Sequence, residues 1–171
     1  HVVNVMNFTR ATETKPALFS YDEVETFLHE FGHALHGMLT QCQYAAQNGT
    51  NVPRDFVELP SQFNENFLSE KEFLDTFAKH YETGEVLPDE LIQKIMAAET
   101  FNQGFMTTEL AAASILDLKW HMTDTVPAHV EAFEADSCLG MGLIDEIIPR
   151  YRSTYFAHIF SGGYSAGYYS Y

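Results

Sequence analysis

Apolar positions in this chain recur mainly at intervals of three and four residues, the period of helices that bury one face. The clearest run spans about 21–40. At about 100° per residue it sets Phe27, Leu28, Phe31, Leu35 and Met38 on one side, to pack, and His29, His33 and His36 on the other. Ser20 or Asp22 can cap its first turn. Phe56, Leu59, Phe63 and Phe67 predict a second helix over 54–68 with a core face, kinked or restarted at Pro60, which lacks a backbone donor. Phe73, Phe77 and Tyr81 share a face of a third, over 70–81. Leu91, Ile92, Ile95, Met96, Phe101 and Phe105 pattern a long helix over 89–106. Another follows over 108–123, with Gly104 as the break or bend between them. Short helices are expected at 128–138 and 143–147, on either side of Gly140-Met141-Gly142. Residues 2–6 alternate enough for one strand within 1–8, with no second strand to pair it. The fold class is mainly α and multi-helical, with at most a short N-terminal strand.

The histidine face carries the chemistry. His29-Glu30-Phe31-Gly32-His33 is a His-Glu-x-x-His pattern, and its histidines lie one helical turn apart on one face, so both rings can reach one Zn²⁺. Glu30 follows the first ligand, rotated by about 100°, which sets its carboxylate beside a metal, where it can take a proton from an activated water. Gly32 and Gly37 are poor helix residues, which suggests that a backbone or a substrate approaches there, or a plain packing contact.

Catalytic zinc takes three protein ligands and keeps one open position. His36 sits about 10 Å along the axis from His29, too far to join it on one ion. The metzincin pattern is also absent, since His36 stands where its glycine belongs and Leu39 where its last histidine belongs. A carboxylate on the second helix is the better candidate. Glu58 follows His33 by 25 residues, beyond a polar loop over 47–53 that lets the chain reverse. Asp55 and Glu65 are the alternatives, either as ligands or as partners that hold a histidine ring.

Residues 27–36 together with 49–63 (Gly-Thr-Asn-Val-Pro-Arg-Asp-Phe-Val-Glu-Leu-Pro-Ser-Gln-Phe) resemble the thimet oligopeptidase family of zinc peptidases, and most of all its bacterial peptidyl-dipeptidase and oligopeptidase branch. The likeness runs from Asn4 to the last residue. It implies a zincin-type catalytic domain, one Zn²⁺ per chain held by His29, His33 and Glu58, and Glu30 as the general base.

The C-terminal run, Tyr155 to Tyr171, is the second chemical signal. Tyr164, Tyr168 and Tyr171 fall at i, i+4 and i+7, on one face if the run is helical, and Ser161-Gly162-Gly163 before them reads as a mobile loop. Tyrosine hydroxyls can donate to a tetrahedral oxyanion, and aromatic core packing would use the same residues. The resemblance implies that Tyr164 and the glycine loop, Gly162 and Gly163, contact substrate. It implies that His158, Tyr168 and Tyr171 serve catalysis, with Tyr171 and Tyr168 as oxyanion donors. Arg150 and Arg152 could meet a peptide carboxylate but suit a solvated surface. His80, His121 and His129 read as structural, with Asp117 four residues before His121 as a local partner.

Composition adds bounds. The chain has 171 residues, 46% of them apolar, enough for a packed core. A net charge of −15 argues against a nucleic-acid partner, and no apolar run reaches the length of a membrane helix. Two cysteines, Cys42 and Cys138, form no metal pair and fit a reducing, cytoplasmic setting. The run of Gly and Tyr at the end carries no stop signal, so the chain reads as part of one catalytic domain cut at both ends. The expectation is a metallopeptidase acting on short peptides and monomeric at full length. The alternative is an inert helical fragment or binding module with a structural or empty metal site.

Overall fold

In the computed structural model the described residues are 1–144 and 146–170. They form helices and turns with no sheet; the nearest approach to one is an isolated antiparallel bridge between Lys79 and Val86. The expected strand at 1–8 does not form. Val2, Val3 and Val5 are exposed, and no neighbouring strand pairs with their backbone. The chain divides into two compact units, 1–100 and 101–171.

The first unit is built on helix α1, Tyr21–Leu39. Ser20 caps it: its hydroxyl accepts from Glu23 N–H, and the Glu23 carboxylate accepts in return from Ser20 N–H. After a loop come α2, Arg54–Val57, and α3, Leu59–Glu65, which meet at Glu58. Pro60 lies in the first turn of α3, where a missing donor costs nothing, so the expected restart occurs there. A 3₁₀ turn, Asn66–Ser69, leads to α4, Lys71–Phe77, and then α5, Asp89–Glu99. Leu28, Leu68, Leu74 and Ile92 form the buried cluster that joins these helices, with Tyr21, Val24 and Phe73 packed against it.

Two apolar stripes do not become the buried faces the sequence suggested. On α1 the buried positions are Leu28, Gly32 and Ala34, while Phe27, Phe31 and Met38 are exposed. Along α2, α3 and the 3₁₀ turn that follows, the buried series is Val57, Ser61, Asn64 and Leu68, and Phe56, Leu59, Phe63 and Phe67 are exposed. The reason is a close crossing. A Cβ on Gly32 would lie 2.6 Å from Ser61 Cα and 2.7 Å from Pro60 O, so only glycine admits the α3 backbone there. Once the backbones touch, small residues fill the seam, and the large rings lie on its flanks, where Phe27 stacks on Phe31. Asn64 Nδ2 ties the seam by donating to Leu28 O at 2.6 Å.

The second unit contains α6, Gln103–Met122, α7, Val130–Gly140, and the short α8, Ala157–Phe160. The break before α6 falls at Asn102, which is left-handed (φ 56°), and Gly104 lies inside the helix. Residues 143–147 form no helix among those described. Nor do residues 164–170 form a regular helix: they make a hydrogen-bonded turn with Ala166 left-handed (φ 54°), then a 3₁₀ turn, Tyr168–Ser170.

Candidate metal centre

α1 presents His29 and His33 one turn apart, their rings edge to face at 4.9 Å between centroids. The joint between α2 and α3 brings in Glu58. Its Oε2 lies 3.3 Å from His29 Nε2 and 3.0 Å from His33 Nε2. Donor atoms on a tetrahedral zinc at 2.0–2.1 Å are about 3.3 Å apart, so the three fit around one ion. His29, His33 and Glu58 are the described residues whose donor atoms cluster in this way. All three are half-buried, open enough for an exchangeable position.

The surrounding contacts aim these donors. His29 Nδ1 meets Glu65 Oε1 at 2.6 Å, so a proton on Nδ1 is held by that carboxylate and the Nε2 lone pair faces the cluster. Ser61, fully buried, has its hydroxyl 2.9 Å from both Glu58 Oε2 and Glu58 O and can donate to either, which limits rotation of the Glu58 carboxylate. His33 Nδ1 is buried without a hydrogen-bond partner among the described residues, so its tautomer is set from the Nε2 side. Glu30 is half-buried on α1 directly after His29. Burial first, then the Glu65 carboxylate, raises the Glu25 carboxyl one turn before His29 above its ordinary value.

Of the sequence alternatives for a third donor, Glu65 is the ring-holding partner and Asp55 is exposed. His36 is not in the donor cluster; its ring lies edge-on to Phe56, 6.2 Å between centroids. Ser61 and Asn64 were missed. A serine three residues after Glu58 is a weak signal, and nothing in the sequence marks Asn64 as the tie to α1.

The tyrosine segment belongs to the second unit. Tyr168 is fully buried and Tyr164 nearly so; Tyr171 lies outside the described residues. The Tyr168 ring packs against Phe156, His158 and Tyr151, with centroids 4.8, 5.7 and 5.9 Å away. Gly162 and Gly163 are exposed in a tight turn that closes α8. There Gly162 N–H donates to Ala157 O and Tyr164 N–H to His158 O. A Cβ on Gly162 would meet His158 O at 2.7 Å, so the turn itself requires glycine. Arg152 is not free on the surface: its Nε pairs with Glu134, a buried carboxylate that also accepts from Ser153. His80 Nδ1 accepts from the backbone N–H groups of Glu82 and Thr83, a turn contact.

No helix among the described residues is long and apolar enough to cross a membrane. The family model described as Peptidase family M3 matches residues 1–171. The chain is similar to a dipeptidyl carboxypeptidase of Escherichia coli, 45% identical over 99% of this chain and 25% of that protein. It is also similar to the organellar oligopeptidase A of Arabidopsis thaliana, at 45% identity over 98% of this chain and 22% of that protein. Oligopeptidase A of Escherichia coli is 41% identical over 96% of this chain and 25% of its own length. The chain thus spans about a quarter of the length of the curated relatives it matches.

Proposed function

Because the chain belongs to peptidase family M3, we propose that it carries the metal centre and part of the peptide-binding surface of a zinc metallopeptidase acting on short oligopeptides. Cleavage is of the peptidyl-dipeptidase or oligopeptidase type, the activities for which its relatives are named. The observation that carries the reading is the convergence of His29 Nε2, His33 Nε2 and one Glu58 oxygen on a volume the size of one ion. Zinc bound there supplies Lewis acidity, polarising a peptide carbonyl and making a water acidic near neutral pH.

The chain's own groups do the rest. Glu30 takes a proton from the attacking water and returns it to the leaving amine nitrogen. Glu65 and Ser61 hold a histidine and a carboxylate in the orientation the ion needs. Tyr168 and Tyr171 donate to the developing oxyanion, and His158, Tyr164, Gly162 and Gly163 contact the peptide. Both units belong to one catalytic domain, and the full-length protein is a cytoplasmic monomer. The test is Glu30→Gln in the full-length protein. Zinc stoichiometry is retained and turnover falls by about 10²–10⁴-fold. Full turnover in that variant, or loss of the metal, rejects the role. Mass spectrometry of products from one C-terminally blocked and one free peptide separates dipeptide release from internal cleavage.

A further inference from the structure

The second unit contains a fully buried carboxylate that the mechanism above does not use. Asp117 sits on the buried face of α6 at 0% exposure. Its Oδ1 accepts from Ala166 N–H and its Oδ2 from Tyr168 N–H, both at 3.0 Å. His121, one turn later on α6, places Nδ1 2.8 Å from the same Oδ1 and 2.9 Å from Asp117 O, so its N–H is shared between them. The two amides bracket Gly167, in the segment where Ala166 is left-handed. For a residue with a Cβ that conformation costs on the order of 1 kcal/mol or more and persists only where its surroundings impose it. Three other amides of the segment bond to nearby carbonyls: Tyr164 N–H to His158 O, Gly167 N–H to Tyr164 O and Ser170 N–H to Gly167 O. One side chain, 49 and 51 residues earlier in sequence, takes the Ala166 and Tyr168 amides.

We propose that Asp117, steadied by His121, is a positioning residue for the peptidase reaction: its carboxylate fixes the backbone on both sides of Gly167 and thereby the placement of Tyr168. The inference rests on the catalytic reading of the tyrosine segment. A lone structural tie would need one hydrogen bond. Two amides on two different oxygens define the direction of the turn as well as its distance. Charge-assisted bonds to a fully buried carboxylate are stiff, and they set the geometry of a group that must meet a transition state to within a fraction of an ångström.

The test uses the full-length, zinc-loaded protein and Asp117→Asn. The substituted side chain keeps the shape but turns an NH₂ towards one of the two amide donors. Two quantities are read: hydrogen exchange at the Ala166 and Tyr168 amides, and kcat and KM for a short peptide. The expected result is exchange at 164–170 faster by about ten- to a hundredfold, as for loss of a charge-assisted bond, with α1 exchange and zinc content unchanged. With it kcat falls by a similar factor and KM stays within about threefold, the pattern of an interaction made in the transition state. Unchanged exchange at 166 and 168 overturns the proposal, as does a loosened segment with unchanged kcat. Tyr168→Phe separates the two ideas. If it keeps full turnover while Asp117→Asn loses it, Tyr168 is not a donor and the positioning role of Asp117 stands. Should Asp117→Asn fail to fold, His121→Leu against His121→Asn carries the same readouts. Asn can offer a donor in place of Nδ1, so it rescues both exchange and kcat where Leu does not; equal behaviour of the pair overturns the proposal.

Discussion

Replacing Gly32 by alanine tests the geometry on which the metal centre depends. The added Cβ would sit 2.6 Å from Ser61 Cα and 2.7 Å from Pro60 O. Carbon atoms rest at about 3.5–4.0 Å, so α3 has to retreat by about 1 Å, and both obstacles are backbone. Alanine favours the helix by about 1 kcal/mol over glycine, while overpacking costs about 1–3 kcal/mol. The net stability change is therefore about 0–2 kcal/mol, a small effect. The metal is the sensitive readout. Glu58 is three residues before Ser61 and is held by it, so it travels with α3, while His29 and His33 stay on α1. Metal sites tolerate about 0.2 Å in ligand distance. A shift several times larger takes one donor out of the cluster or strains all three, and on the proposed function zinc affinity falls at least about tenfold, about 1.4 kcal/mol. The Asn64–Leu28 hydrogen bond, now 2.6 Å, lengthens with it. Competition against a calibrated chelator measures the affinity, and thermal unfolding with and without zinc measures the coupling. Gly37→Ala is the control, because its Cβ would meet only the end of the Val2 side chain at 3.4 Å. A Gly32→Ala protein with zinc affinity within about twofold of the parent and an unmoved melting temperature would refute the argument that this crossing sets the site.

Glu65→Gln keeps the volume but takes the carboxylate from His29 Nδ1; zinc binding weakens by about 10–100-fold, measured by the same competition, and unchanged affinity rejects its orienting role. The α1 cap predicts a pH dependence. Hydrogen bonds from Ser20 N–H first, then from the Thr9 hydroxyl and N–H, hold the Glu23 carboxyl below its ordinary value. The folded state thus binds this proton more weakly than the unfolded one. The contribution is present above the ordinary glutamate range and is lost as pH falls through the lowered folded value. Urea unfolding should show the parent exceeding Glu23→Gln at neutral pH, with the difference closing in acid; a pH-independent difference contradicts this.

Local periodicity determined much of this protein without help from tertiary structure. His29 and His33 point the same way because four residues make one helical turn whatever surrounds them. Ser20 and Glu23 begin α1 by each accepting the other's backbone N–H three residues away, and Pro60 restarts the chain because it lacks a donor. The HExxH pattern was legible for the same reason, while spacing alone left Glu58, Asp55 and Glu65 as rival third donors. Which carboxylate comes close to both histidines depends on the path of the loop over 47–53, and local propensity does not set such a path. Tertiary packing also chose the buried faces. The apolar stripes of Phe27, Phe31, Phe63 and Phe67 were plain in the sequence, yet the contact formed at Gly32, Ser61 and Asn64, where two backbones could touch and polar groups could satisfy each other. The tyrosine segment shows the same division. Its spacing promised one helical face, but Ala166 is left-handed, and the Ala166 and Tyr168 amides bond to the Asp117 carboxylate on α6 instead of to helical carbonyls. A bond between residues some fifty positions apart has no period to read.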